Sequence, residues 1–193
     1  DVTAVGYQAL TTSTTAVQNT AIGSYALQLT TTGGDNTSVG YIAGYKNTTG
    51  ASNTMVGHTA MIENQTGSFN TALGRMALKN TTASLNTAVG YNSLVSNTTA
   101  GENTAVGADS QRTSTTANAC VAVGADASEF LTTGTLNTAV GHDSNRYNTT
   151  GYNCTFVGQG AGTGTSGSTT GYNNTGIGKG ALNDITTGHD KCT

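Results

Sequence analysis

The chain has 193 residues, of which 35% are hydrophobic and 9% charged, and its formal net charge is −3. This weak negative charge, without a basic stripe, argues against nucleic acid as a partner, and no apolar run is long enough to insert into a membrane. So few apolar residues would give an ordinary globular chain of this length too small a core, and a folded chain must therefore bury them in another way.

A repeated Asn-Thr-x-aliphatic-Gly motif runs along the whole chain. The glycine that closes the motif recurs every 16 or 17 residues as far as Gly158, and then after 20 residues at Gly178. In chain order these repeat glycines are Gly6, Gly23, Gly40, Gly57, Gly74, Gly90, Gly107, Gly124, Gly141, Gly158 and Gly178. One unit written many times is typical of a stack of like elements rather than of a globule with a unique core.

Each motif predicts a short β-strand that ends at its glycine. The residue before the glycine is aliphatic and the residue three before it is β-branched, as in Val89 and Thr87. This period-two pattern places both side chains on one face, which we expect to point inward. The small residue three positions after each glycine completes the predicted core. The residues that we expect to be buried include Val89, Val106, Val123, Val140, Ala77 and Ala127.

The rest of each repeat is a polar stretch that ends in a Thr-Thr pair and a Gly or Ala, as in Thr48-Thr49-Gly50. That small residue indicates a second corner, and no apolar series at helical spacing is present. The sequence therefore predicts an all-β fold, a β-solenoid or parallel β-roll of about eleven 17-residue coils. Residues 1–193 are expected to form a single repeat array with a loop insertion near 162–168, as a segment of a longer fibre.

The run from Asn86 to Ser93, with the matching runs 19–26 and 103–110, resembles the head repeats of YadA-type trimeric autotransporter adhesins. Similar repeats occur in viral and bacteriophage fibre proteins. The resemblance implies a left-handed parallel β-roll, three chains side by side, and a role in attachment at a cell or virion surface. The repeats here are longer than that family's usual unit, and Thr stands where the adhesins often carry Val.

Residues that recognise a partner are expected at outward positions that vary between repeats. The candidates are Tyr7, Tyr25, Tyr41, Arg75, Tyr91 and His142. The expected partners are further copies of the chain, as a homotrimer or an end-to-end fibre, and a carbohydrate or protein on a host surface.

Three acids, Asp109, Asp126 and Asp143, each stand two residues after a repeat glycine. Stacked carboxylates about 5 Å apart repel by roughly 1 kcal/mol in water. A bound Ca²⁺ would relieve that repulsion, but the glycine-rich repeat of Ca²⁺-binding rolls is missing. We expect a solvated acidic edge and no cofactor, with a metal site as the alternative.

The cysteines Cys120, Cys154 and Cys192 are assigned to the Asn position of their repeats. Two repeats apart, they would lie nearly 10 Å from one another, which is too far for an intrachain disulfide. We expect small buried residues that replace Asn, and interchain pairing near a trimer axis is the alternative.

Five N-glycosylation sequons share nearly one phase of the repeat, at Asn47, Asn64, Asn80, Asn97 and Asn148. If the chain is secreted by a eukaryote, they would be exposed acceptors. The preference of Asn for turns explains the same pattern without glycosylation.

These patterns favour a structural and adhesive fibre segment, located outside the cell or on a virion. The alternative is an ice-binding solenoid with a flat Thr row. Of the adjacent Thr-Thr pair only one side chain can join such a row, and the Thr of the Asn-Thr motif is expected inside. An enzyme is not expected, because no nucleophile–base pair, metal-ligand spacing or phosphate-binding loop is recognisable.

Overall fold

The computed structural model describes residues 1–165 and 169–193 and contains one parallel sheet of eleven strands. The strands are β1 (Thr3–Val5), β2 (Thr20–Ile22), β3 (Thr37–Val39), β4 (Thr54–Val56), β5 (Thr71–Leu73), β6 (Thr87–Val89), β7 (Thr104–Val106), β8 (Val121–Val123), β9 (Thr138–Val140), β10 (Thr155–Val157) and β11 (Thr175–Ile177). They stack in chain order, and the described residues include no helix. The predicted all-β solenoid is therefore confirmed. Within the same residues, nothing is both helical and long enough to span a membrane.

Each coil, meaning one strand and the residues up to the next strand, lies in register on its neighbour. In the central coils Thr87 pairs with Thr104 and Val89 with Val106. The 20-residue coil keeps the same register, since β10 and β11 pair directly. The predicted loop near 162–168 falls between these two strands, and its residues 166–168 lie outside the described part of the chain. Changes in coil length are therefore absorbed away from the sheet.

The repeat glycines form a corner that disfavours other residues. Their φ angles run from +126° at Gly178 to +142° at Gly74, a backbone conformation that residues other than glycine rarely adopt. They also stack closely: a Cβ on Gly40 would lie 2.5 Å from the carbonyl oxygen of Gly57. Both constraints recur from coil to coil, and this explains the regularity of the motif.

The strands are turned the opposite way from the sequence prediction. The middle residue of each strand after β1 is buried, as Ala105 is, whereas the Thr and aliphatic residues beside it point outward. Val123 is 37% exposed. The predicted burial is therefore wrong for Val123, and it is also wrong for Val89, Val106 and Val140, which are half-buried. It is confirmed for Ala77 and Ala127, which are fully buried.

The narrow interior explains this orientation. In two places a large middle strand residue fills the space beside a glycine that stands four after a repeat glycine. Met55 lies against Gly44 of the preceding coil, and Phe156 against Gly162 of its own coil. A Cβ on Gly44 would lie 2.6 Å from Sδ of Met55, and one on Gly162 would overlap the Phe156 ring. The aliphatic residue that follows is consequently placed on the outer face.

Buried asparagines join successive coils. Nδ2 of Asn103 donates to the carbonyl oxygen of Ala117 (2.7 Å), and its Oδ1 accepts from the backbone N–H of Cys120 (3.0 Å). Related bonds recur in other coils: Nδ2 of Asn36, for example, donates to the carbonyl oxygen of Gly50, and its Oδ1 accepts from the backbone N–H of Asn53. They satisfy main-chain groups that the short strands leave unpaired.

Two of the three cysteines lie in this asparagine column. Cys120 and Cys154 are buried free thiols, as expected for small residues in place of Asn. Burial raises the pKa of both thiols, so they stay protonated at neutral pH. The assignment of Cys192 is wrong: it pairs with Thr175 and is exposed. The Asn position in that coil is held by Lys191. Lys191 comes three residues after Gly188, the small residue that follows the Thr-Thr pair, and Asn stands at this distance in most other coils.

Candidate functional site

The outward side of the sheet, which we call the strand face, carries a row of Thr and a row of aliphatic residues. Among the exposed members, Val5 is 57%, Leu73 46% and Ile177 64% exposed. The Thr hydroxyls of this row, such as that of Thr104, make no side-chain hydrogen bond within the described residues. In the turn pairs, by contrast, hydroxyls bond the next coil, as Thr48 does to the Gln65 carbonyl (2.9 Å). The expectation that the Thr of the Asn-Thr motif lies inside is therefore wrong.

A second surface follows the corner glycine on coils 1–4, and we call it the aromatic strip. Its members are Tyr7, Tyr25, Tyr41, Tyr45 and His58. The ring centroids of Tyr7 and Tyr25 lie 5.3 Å apart, and those of Tyr25 and Tyr41 6.3 Å apart, both edge to face. His58 continues the strip 5.4 Å from Tyr41. Three of the residues predicted for recognition are thus brought together.

Part of the aromatic strip borders a cleft of about 370 Å³. It is lined by Tyr25, Tyr41, Ile42, Tyr45 and Ile62. The sequence prediction missed Ile42, Tyr45 and Ile62. Ile42 stands two residues after a repeat glycine and the other two stand five after one, at positions whose residues vary between coils. Burial, followed by the neighbouring tyrosines, raises the pKa of Tyr25, so its hydroxyl remains protonated at neutral pH.

The other recognition candidates lie in later coils. Arg75 and Tyr91 form an exposed pair: Nη1 of Arg75 donates to the Tyr91 hydroxyl (3.3 Å), and the guanidinium lies 5.5 Å from the ring centroid. His142 is exposed, and its Nδ1 lies 3.0 Å from Oδ2 of Asp143. Arg75 follows His58 of the aromatic strip one coil on, so of the six candidates only His142 lies far from the others along the chain.

The predicted acidic edge is part of an ion-pair network on coils 7–9. Glu129, whose side chain is 7% exposed, accepts from Arg112 (2.6 Å to Oε1) and from Arg146 (2.8 Å to Oε2). Arg146 also bonds Asp143 (2.7 Å), and Arg112 lies 3.7 Å from Asp109. The sequence predicted that solvent would surround the stacked acids. Instead, the two guanidinium groups supply positive charge beside them.

Asp126 occupies the middle of this network. Burial raises its pKa above the ordinary value; Arg146 opposes that shift, and Glu129 and Asp143 add to it. One possible ligand atom from each of Asp126, His142 and Asp143 lies within 4.8 Å of the others. Because Arg146 already bonds Asp143, a cation there would compete with an existing ion pair.

The sequons do not present exposed acceptors. The side chains of the following residues are buried: Asn47, Asn64, Asn97 and Asn148. Asn64, for example, donates to Oδ1 of Asn47 (2.9 Å) and accepts from the backbone N–H of Gly67 (3.0 Å). The prediction of exposure is wrong for these four, because their amides bond the corner from inside. Asn80, one position out of phase, is half-buried.

Comparison of the chain with known proteins finds no matching family model, no matching curated protein and no matching solved structure. The resemblance to YadA-type head repeats therefore depends on the motif alone.

Proposed function

We propose that the chain is a structural and adhesive segment of a fibre, in which copies pack side by side through the strand face. The observation that carries this proposal is the row of outward aliphatic side chains, present in all eleven strands. A contiguous apolar surface of this kind is typical of an interaction site. Because the row is uncharged, two copies of the chain can approach each other through it without electrostatic repulsion.

The dimensions of the strand face suit another copy of the same chain. Strands in a parallel stack are about 4.8 Å apart, so the row extends for roughly 50 Å. Only a partner with the same repeat would match such a row along its length, and a symmetric assembly provides one. Three copies around one axis are what the resemblance to the adhesin repeats implies. Burial of the aliphatic row would contribute about 25 cal/mol per Å² of apolar surface.

In this proposal the fibre acts outside the cell or on a virion, where it presents variable outward residues to a host surface. The aromatic strip and the Arg75–Tyr91 pair supply contact surfaces. The proposal includes no catalytic step and no cofactor.

Molar mass in solution, measured by light scattering, tests this assembly. We expect wild-type protein at three times the chain mass of 19.3 kDa. Val106→Asp should give single chains, since it places a charge in the aliphatic row. The control is Thr116→Asp, an exposed residue of a turn pair. A wild-type monomer, or a Val106→Asp variant that keeps the mass of three chains, would contradict the proposal.

Ice binding is the second candidate, because the structure places a Thr row outward where the sequence prediction had placed it inside. Its hydroxyls are spaced about 4.8 Å along the stack and make no side-chain hydrogen bond within the described residues. A monomer that shows thermal hysteresis, lost in Thr104→Lys and kept in Thr116→Lys, would establish it. The two functions compete for one face, since side-by-side packing covers the Thr row.

A further inference from the structure

We infer that the cleft on coils 2–4 binds a pyranose ring of a neutral carbohydrate. This deepens the adhesive part of the proposed function and does not depend on how copies assemble. The site consists of three tyrosines and two isoleucines that meet only because coils stack, since its members are spread between Tyr25 and Ile62.

The shape of the cleft suits a single sugar ring. The rings of Tyr41 and Tyr45 stand at 82° and 72° to that of Tyr25, so they form walls beside it. A volume of about 370 Å³ lies at the small end of the usual range for ligand sites, about 300–1,000 Å³. A long peptide or an extended lipid chain would not be enclosed by it.

The chemistry of the lining also fits. A pyranose has an apolar C–H face and a rim of hydroxyls, so it requires an aromatic surface bordered by groups that both donate and accept. Tyrosine supplies both, because its ring is apolar and its hydroxyl has either role. Ile42 and Ile62 extend the apolar surface. An entirely apolar ligand would make no use of the hydrogen-bonding capacity of the tyrosine hydroxyls.

The absence of charge in the lining makes the ligand neutral. The five lining residues include no Asp, Glu, His, Lys or Arg. The nearby Lys46 and Glu63 neutralise each other, with Nζ 2.7 Å from Oε2. None of the lining residues is a cation, in contrast to the arginine-rich surface of coils 7–9.

The cleft is open on one side, so we expect a dissociation constant on the order of 1 mM for one ring. In an assembly of several copies, each contributing one cleft, simultaneous contacts would raise the overall affinity without any new contact. Weak single sites on a fibre are compatible with attachment for this reason.

The experiment is saturation-transfer NMR with the methyl glycosides of glucose, galactose and mannose, followed by titration calorimetry. We expect transfer to the ring C–H protons of at least one glycoside. Tyr45→Ala should weaken binding at least tenfold, and Tyr45→Phe should keep most of it. Tyr152→Ala is the matched control, because Tyr152 is 43% exposed and stacks on Tyr172, far along the chain. Circular dichroism verifies that each variant is folded, and Tyr41→Ala replaces Tyr45→Ala if the latter is not.

Three results would overturn the inference: no transfer to any of the three glycosides, equal binding by Tyr45→Ala and wild type, or equal binding of N-acetylneuraminic acid. A fall in molar mass caused by Tyr45→Ala would also overturn it, since the cleft would then be a contact between copies. A wild-type monomer that binds a glycoside would contradict the proposed assembly and leave this inference standing.

Discussion

Coils 2–4 and coils 7–9 have the same backbone and carry opposite chemistry on the same outward positions. Two residues after the repeat glycine, the first region has Tyr25 and Ile42, whereas the second has aspartates. Five residues after it, Tyr45 and Ile62 contrast with arginine and glutamate, which include Arg112. Strand register is nevertheless the same in both regions. The main-chain ladder therefore determines the fold, and these outward positions are available for function.

The interiors of the two regions differ in the same way. Four residues after the repeat glycine, the earlier coils mainly bury Leu or Met, whereas coils 7–9 bury Gln111, Ser128 and Asn145. Both amide atoms of Gln111 lack a hydrogen-bond partner within the described residues. Yet the backbone is unchanged, since φ is 51° at Leu94 and 47° at Gln111. The polar interior of coils 7–9 must therefore lower their stability relative to the earlier coils.

The largest effect is expected from the corner glycines, which the two regions share. Gly40→Ala in coil 3 and Gly107→Ala in coil 7 should each destabilise the protein by more than about 4 kcal/mol. The methyl group would overlap the carbonyl of the next coil, and φ is +141° and +136° at these positions. Urea unfolding at a fixed protein concentration measures the loss.

Gly178→Ala is the control that separates the two causes. Its φ is +126°, but no atom lies within 4 Å of the added Cβ, so only the backbone strain of about 1–3 kcal/mol remains. A loss at Gly40 much larger or smaller than that at Gly107 would mean that the two regions do not share one backbone. Equal losses at all three glycines would exclude the overlap as a cause.

An intermediate effect is expected from exchanging the interiors. Gln111→Leu should stabilise coils 7–9 by about 1–2 kcal/mol, because it removes two unsatisfied buried groups at a backbone conformation that leucine already adopts elsewhere. The reverse change, Leu94→Gln in the apolar region, should destabilise by about 2–4 kcal/mol. Thermal unfolding of both variants provides the measurement. If Gln111→Leu lowers the melting temperature, the interior of coils 7–9 must depend on that amide.

The sequence was sufficient to predict the coil, because glycine spacing and period-two alternation are local properties of the repeat. It did not establish which side of a three-residue strand faces inward, since alternation places Thr and Val together without orienting them. The orienting signal is a pair of exchanges in size: Met55 faces Gly44, and Phe156 faces Gly162. Those pairs identify the middle residue as inward, but only once the two positions are known to face each other.

The candidate site was predicted in part for a similar reason. Tyr7, Tyr25 and Tyr41 were identifiable because they vary at outward positions within two residues of the repeat glycine. Tyr45 and Ile62 join the cleft through the stacking of different coils, which depends on the path of the backbone after the corner. That path includes non-glycine residues with positive φ, such as Ile42 at 49°, which sequence preferences do not predict.

The smallest effect concerns the charge of Asp126. Because burial raises the pKa of this carboxyl, its ionised form is less favourable in the folded chain than in the unfolded chain. Its stabilising contribution is thus fully present below the ordinary value of 3.8 and is lost as the pH rises through the raised pKa. Asp126→Asn should consequently raise the melting temperature at pH 7, by less than Gln111→Leu does. The charge-dependent part of that gain should shrink as the pH falls through the raised pKa and should be absent below the ordinary value of 3.8.

Comparison of the two pH values isolates the charge, since Asn also suits the positive φ of 56° at this position and that benefit is the same at every pH. Asp143→Asn is the matched control: it removes the 2.7 Å ion pair with Arg146 and should lower the melting temperature at pH 7. Circular dichroism melts between pH 3 and pH 7 provide the measurement. If Asp126→Asn is destabilising at pH 7, attraction to Arg146 outweighs burial, and all three aspartates belong to one favourable network. If it is stabilising, coils 7–9 retain an unfavourable charge that coils 2–4, with Tyr25 and Ile42 at this position, do not have.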